Sequence, residues 1–236
     1  MSNEMEIVDK LVPLIVSGKY SAHDKLPSEN DIADQYKVPR NTARKAYERL
    51  EELGYIYKKQ GRGSYVKDRY KQIELVLSGD VSFSQKMIEA GYDYQSKTIF
   101  CREINYTKKI FDYLETDEDD RIFKVGRLRS IDRQPIAFHI SYVAKSVFKD
   151  IDTEGVDITS MFQYYKNKGY SEFDSKISIL SVAFPTKSQR ELLNCTNLIP
   201  LLVLESGCTD KKTGTVLEYT RILYRSDCFS YVIKRH

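Results

Sequence analysis

The stretch PSENDIADQYKVPRNTARKAYERLEELGYIYKKQGRGSYV, residues 27–66, decides how this chain is read. Ser28 follows Pro27 and carries a hydroxyl that caps a helix, with Asp31 three positions on, where a capping-box acid sits. Ile32, Ala33 and Tyr36 then share one helical face. Pro39 suits the start of a second helix, in which Ala43, Ala46, Tyr47, Leu50 and Leu53 recur at three- and four-residue spacing. Gly54 stands where a helix-ending glycine is expected. Tyr55-Ile56-Tyr57 and Ser64-Tyr65-Val66 flank Lys58-Lys59-Gln60-Gly61-Arg62-Gly63, which predicts a hairpin with a basic tip. Upstream, Ile7, Leu11 and Ile15 fall on one face of a helix over residues 4–17 and complete a small three-helix core. Helix, turn, helix and hairpin in this order predict a winged helix-turn-helix.

The charge pattern points the same way. Residues 40–67 hold eight basic and three acidic side chains, a net +5, whereas the whole chain is only +3. Such local concentration is the electrostatic footprint of a nucleic-acid binder. Arg40, Asn41, Arg44 and Lys45 lie at the exposed start of the second helix. In helix-turn-helix proteins that end enters the major groove, where Arg contacts guanine and Asn contacts adenine. The wing tip, with Lys59 and Arg62, suits a phosphate or the minor groove. Gly61-Arg62-Gly63 lacks the leading strand and spacing of a nucleotide-binding loop. A charged amphipathic helix alone would be no more than a solvated face, and the reading rests on the combination.

These residues resemble the DNA-binding domain of the GntR family of bacterial transcription regulators. The resemblance rests on Leu26-Pro27-Ser28-Glu29, Arg40-Asn41-Thr42-Ala43-Arg44-Lys45-Ala46, Leu50, Leu53-Gly54-Tyr55-Ile56 and Gly61-Arg62-Gly63-Ser64-Tyr65-Val66. It implies DNA contacts at Arg40, Thr42 and Arg44 on the recognition helix and at Gln60, Gly61, Arg62 and Gly63 on the wing. It also implies backbone contacts at Ser28 and Glu29, which open the supporting helix. Pro39 stands where a serine usually precedes the arginine, and Asn30 where some members have a DNA-contacting arginine. Both departures bear on the target sequence and not on the binding mode.

With 236 residues there is room for two modest domains, each with its own core. Apolar content of 41% and charged content of 30% are those of a soluble globular protein. The apolar run 198–204 is too short to span a bilayer, and Glu4, Glu6 and Asp9 break up any signal peptide. Cys101, Cys195, Cys208 and Cys228 are scattered, and His23, His139 and His236 are far apart. The expectation is a cytoplasmic protein with idle thiols, no metal, no cofactor and no membrane contact. The charged run Lys67-Asp68-Arg69-Tyr70-Lys71 divides a DNA-binding domain, residues 1–70, from a second domain, residues 71–236.

Beyond that run the pattern predicts helices at 83–90, 107–114, 159–168 and 187–193. Strands are expected at 97–105, 121–131, 135–143, 173–184, 200–209, 216–224 and 229–234. Arg133-Gln134 and residues 211–214 read as hairpin turns. Strands joined by short turns favour antiparallel pairing, hence an α+β fold. The layout resembles the UTRA effector-binding domain of the HutC subgroup, whose fold is similar to that of chorismate lyase. The landmarks are Ser82-Phe83-Ser84, Arg127-Leu128-Arg129, Gln134-Pro135-Ile136, Ser141-Tyr142, Thr215-Val216-Leu217-Glu218-Tyr219 and Tyr224-Arg225-Ser226-Asp227.

Arg127 and Arg129 are two apart on an expected strand, so both project from one face. Two arginines there repel unless an anion or an acid sits between them, and bidentate capture of phosphate or carboxylate is the natural use. Ser82 and Ser84 begin an expected helix, whose N–H groups favour an anion. Glu218 and Tyr224 alternate onto one face of a later strand and suit hydroxyl or amine groups. The resemblance implies effector contacts at Ser82, Ser84, Arg127, Arg129, Glu218 and Tyr224. His139 occupies a position where sugar-phosphate-sensing members often hold a glutamate. The bland alternative makes Arg127 and Arg129 surface partners of Asp117, Glu118, Asp119 and Asp120, and Tyr224 simple core.

The expected function is therefore a transcription repressor, not an enzyme. It would bind an inverted-repeat duplex as a homodimer and be released by a small anionic metabolite such as a phosphorylated sugar. Two rivals stand beside it: chorismate lyase-like catalysis in the second domain, and DNA binding with no effector. No nucleophile–base pair or metal cluster favours the first, and fold alone does not establish function.

Overall fold

The computed structural model describes residues 3–68, 73–76, 82–175, 177–196 and 198–232. Three helices open it: α1 (Asn3–Val16), α2 (Glu29–Tyr36) and α3 (Arg40–Glu52). The apolar stripes read from the sequence meet at one core. Ile7, Leu11 and Ile15 of α1 pack with Ile32 and Ala33 of α2 and with Ala43, Ala46, Tyr47 and Leu50 of α3, all buried. Leu53 packs half-buried at its margin.

The expected capping box forms. Ser28 Oγ accepts from the Asp31 N–H at 3.2 Å, and Asp31 Oδ2 accepts from the Ser28 N–H at 2.8 Å. Pro39 stands at the N-cap of α3, and Gly54, at φ 76°, turns the chain out of it. The wing is the antiparallel pair β1 (Ile56–Lys59) and β2 (Gly63–Val66). Tyr57 and Tyr65 stack on it with centroids 5.9 Å apart, and the Lys59 ammonium sits 4.6 Å above the Tyr65 ring.

The rest of the chain runs β3 (Ile73–Val76), α4 (Phe83–Glu89), β4 (Tyr94–Glu103), α5 (Lys108–Leu114), β5 (Ile122–Ile131) and β6 (Gln134–Ala144). It continues α6 (Ile151–Glu154), α7 (Met161–Asn167), β7 (Phe173–Asp174), β8 (Ser178–Ala183), α8 (Lys187–Leu193), β9 (Leu201–Asp210), β10 (Val216–Arg225) and β11 (Phe229–Val232). Seven strands form one antiparallel sheet in the order β4-β5-β6-β10-β9-β7, with β8 pairing beside β7 along β9.

Register decides which side chains share a face. Arg127 pairs with His139, His139 with Ile222, and Ile222 with Leu204. One row on, Arg129 pairs with Ala137 and Ala137 with Tyr224; one row back, Ser141 pairs with Thr220 and Thr220 with Ser206. Because side chains alternate along a strand, these rows all face one side. Helices α6 and α7 and the segment before them cover part of that face, with Phe148, Ile151, Met161 and Tyr165 against Phe123, Val125 and Val143. The opposite face is closed by Phe111 and Leu114 of α5 and by Leu193 of α8.

Several expectations shift. The strand expected over 173–184 is two strands, because the chain leaves β9 after Asp174 and rejoins it at Ser178. The turn between β5 and β6 is Asp132-Arg133, both in the left-handed region at φ 48° and 63°, so Gln134 belongs to β6. α6 went unforeseen, being too short for a helical period to register. So did β3, which pairs in parallel with β11 and so departs from the antiparallel expectation. Residues 69–71 of the expected domain boundary, and 233–234 of the last expected strand, lie outside the described residues.

Candidate functional site

Two polar regions stand out, one on each half of the chain. On the first, Arg40, Asn41, Arg44 and Lys45 are exposed on the leading turns of α3, with Thr42 half-buried among them. Their side chains are held in place. Arg44 Nη2 donates to Asn41 Oδ1 at 2.9 Å, its Nε lies 3.6 Å from Glu48, and Arg40 Nε lies 3.8 Å from Glu29. Glu29, half-buried at the start of α2, thus faces an arginine. A groove runs from Ser28 and Glu29 past Arg40 to Lys59, Gln60, Gly61, Arg62 and Gly63 on the wing. Of the residues singled out for DNA, Asn41, Thr42, Arg44 and Lys45 do not line it and lie on the adjoining turns of α3.

The second region is a cavity of about 240 Å³ over the sheet face described above. It is lined by all seven residues expected of an effector site: Ser82, Ser84, Arg127, Arg129, His139, Glu218 and Tyr224. Arg127 and Arg129 are only 3% and 2% exposed, which removes the reading of them as surface partners. Asp120 instead accepts from Thr116 Oγ1 at 2.6 Å and from Ser146 Oγ. Tyr224 does have the core role that the bland reading gave it, packing against Phe229 at 5.0 Å, and it lines the cavity as well.

The arginines are only partly satisfied. Arg127 Nη2 donates to Ser141 Oγ at 2.5 Å and lies 4.0 Å from Glu218 Oε1. Arg129 Nη1 donates to Tyr94 Oη at 2.5 Å, to the Thr159 carbonyl at 2.7 Å and to Ser96 Oγ. The Nε atoms of both arginines and His139 Nε2 have no hydrogen-bond partner among the described residues. Buried polar groups left in that state are unfavourable by themselves. Burial, and then the neighbouring Arg127 charge, pulls Arg129 down to about 9. Burial also lowers Arg127, which the Glu218 carboxylate partly offsets. Two buried cations therefore face one buried carboxylate.

His139 sits edge-on to Phe83 at 5.0 Å, and burial, with the Arg129 and Arg127 charges behind it, holds it well below its usual value of 6.5. It is a neutral imidazole near pH 7. Below about pH 6.5 the unfolded chain takes up a proton at this histidine that the native chain refuses, so stability falls with pH by up to about 1.4 kcal/mol per unit. His139→Gln is expected to flatten that part of the slope, read as urea midpoints from about pH 7 to about pH 5. Superimposable pH profiles for the two chains would refute it.

Ser82 serves first as the cap of α4, its Oγ accepting from the Gln85 N–H at 3.1 Å, while Ser84 Oγ lies 3.1 Å from Tyr94 Oη. Sequence reading missed the far end of the cavity. There Ser206 Oγ lies 2.6 Å from Ser175 Oγ and 2.9 Å from Ser178 Oγ, with Thr220 and Cys208 alongside. Only strand pairing reveals it, since Ser206 joins the cavity through its register with Thr220. The cavity thus has a cationic end and a hydroxyl-rich end. Its chemistry suits a small ligand with an anionic group at one end and hydroxyls at the other.

Comparisons with known proteins bear on both halves. The family model described as "Bacterial regulatory proteins, gntR family" matches residues 3–66, and that described as "UTRA domain" matches residues 89–230. Bacillus subtilis (strain 168) has an "HTH-type transcriptional repressor NagR" that is 24% identical over 96% of this chain and 92% of its own length. The "Mannosyl-D-glycerate transport/metabolism system repressor MngR" of Escherichia coli (strain K12) is 24% identical over 97% of this chain and 93% of its own. Among solved structures, PhnF from Mycobacterium smegmatis superposes with a TM-score of 0.64 at 18% identity, covering 98% of this chain and 99% of that one. That likeness speaks to the fold.

Proposed function

The chain belongs to the gntR family of bacterial regulatory proteins and carries a UTRA domain, and from that premise we propose that it is a transcription repressor controlled by a small anionic ligand. The observation that carries the ligand is the buried Arg127–Arg129 pair with its unpartnered N–H groups, which a phosphate or carboxylate would satisfy. The serine-rich end extends this to a polyhydroxylated anion such as a sugar phosphate. DNA binding is assigned to Ser28, Glu29, Arg40, Asn41, Thr42, Arg44, Lys45, Lys59, Gln60, Gly61, Arg62 and Gly63, with Glu29 orienting Arg40. Effector binding is assigned to Ser82, Ser84, Arg127, Arg129, His139, Glu218 and Tyr224. The domains divide at residues 70 and 71. Relatives named as repressors support repression over activation. The cavity acts as a sensor and not a catalyst, with the protein working in the cytoplasm.

Two copies are needed to read an inverted repeat. The sheet offers the surface: β8 pairs only with β9 among the described residues, and Ile179, Leu180, Val182 and Phe184 on and beside it are 46%, 41%, 65% and 68% exposed. An open apolar edge of this kind recruits another strand. Val182→Lys with Phe184→Ser is expected to weaken self-association about tenfold or more, which sedimentation velocity would show as a shift toward monomer. An unchanged dimer would place the interface elsewhere.

The function is tested by selecting duplexes from a random pool with the full-length protein, then melting the protein with sugar phosphates, inorganic phosphate and chorismate. Enrichment of an inverted repeat and a rise in melting temperature with a sugar phosphate are expected. Failure to enrich any sequence would overturn the repressor reading, and consumption of chorismate would overturn the sensor reading.

A further inference from the structure

The end of α3 touches the C-terminal domain. The loop between α8 and β9 brings Thr196 to Glu52, where its Oγ1 donates to the Glu52 carbonyl, one of the last carbonyls of the helix. Beside it Ile199, only 2% exposed, lies over Gly54, so close that a Cβ there would come within 2.9 Å of its Cδ1. Gly54 thus meets two demands: a left-handed turn and room for a side chain from the other domain.

The same loop is tied to the strand that lines the cavity. Arg225 follows Tyr224 on β10 and turns to the opposite face, where its Nη1 donates to the Leu193 carbonyl at 3.2 Å and the Pro135 carbonyl at 3.0 Å. A buried bidentate pair with Asp227, at 2.7 and 3.1 Å, fixes the guanidinium, and the Ser226 N–H donates to the Pro200 carbonyl at 3.2 Å. A continuous set of contacts therefore runs from a cavity-lining tyrosine to the far end of the helix whose near end carries Arg40 and Arg44.

We propose that Thr196 and Ile199 are positioning residues for DNA recognition, holding α3 at an angle set by the β10 end of the cavity. This rests on the DNA-binding reading above. The test uses the full-length protein as wild type, Thr196→Val, Thr196→Ser and Ile199→Ala. Amide exchange is followed at Leu53, Gly54 and Tyr55, whose N–H groups close the last turn of α3. Thr196→Val and Ile199→Ala are expected to exchange about fivefold faster or more there, Thr196→Ser to match wild type, and the β5 and β10 segments to stay unchanged. On duplexes selected by the wild type, the same two variants are expected to lose discrimination, by about fivefold or more, against a duplex whose half-sites are moved one base pair apart. A helix that was merely less stable would weaken both duplexes alike. Unchanged exchange at the three amides in both variants, or spacing discrimination equal to wild type, would overturn the proposal. Should the wild type select no duplex, the DNA reading has failed and the exchange comparison alone decides the contact.

Discussion

Arg127→Met is expected to destabilise the C-terminal domain by about 3–5 kcal/mol and to abolish its response to an anion. The size follows from where the arginine sits. Its side chain and that of Glu218 are 4% and 6% exposed, so removing one charge strands the other in a poorly solvated interior. Ser141 Oγ, fully buried, loses its donor in the same step. Adding Glu218→Leu removes the stranded carboxylate, and the double variant is expected to regain most of the lost stability while remaining insensitive to anions. Urea denaturation of the four chains gives the coupling directly. A single-variant loss below about 1 kcal/mol, the ordinary size for a point change, would mean that the two charges do not hold one another.

Arg40→Ala and Arg44→Ala are each expected to weaken binding to a selected duplex by about 1–3 kcal/mol, roughly ten- to a hundredfold, and to relax base preference at the position contacted. The Arg44–Glu48 pair is exposed and Arg40 meets the half-buried Glu29 from the solvent side, so both pairs contribute little to folding and melting temperature should hardly move. Lys59→Ala should instead weaken all duplexes evenly and lower the salt slope by about one, as a phosphate contact does. Fluorescence anisotropy across a salt series separates the two behaviours. Wild-type affinity in Arg44→Ala would sink the assignment of α3 as the recognition helix. Arg127→Met should bind the same duplex normally, so that one arginine set serves address and the other release.

The helices and the wing of the N-terminal domain were legible because their signals are local. A capping box, a stripe at helical spacing and a glycine turn act within a few positions, and Ser28, Ala43 and Gly54 all sit where the pattern put them. The cavity was half legible. Arg127 with Arg129 and Glu218 with Tyr224 share a parity on their strands, which sequence shows. Ser175, Ser178 and Ser206 come together only through the pairing of β8 with β9, which no local pattern encodes. Nor could β3 be found, since its partner β11 lies across the whole domain. The Thr196–Glu52 contact was hidden for the same reason: neither residue carries a mark of the other.

The β3–β11 pairing bears on the order in which the protein is made. The winged domain rests on short-range contacts and is complete once residues through Val66 have left the ribosome. Its anchorage is not, for β3 must wait for β11, which is translated only after every strand of the main sheet. Until β11 has emerged, a nascent chain therefore carries a finished DNA-reading head on an unfinished sensor. On the proposed dimer reading, such a head is a single copy with no regulation, able to touch DNA but not to clasp both half-sites. Premature termination before Phe229 should yield the same species permanently, a fragment that competes for single half-sites and answers to no ligand.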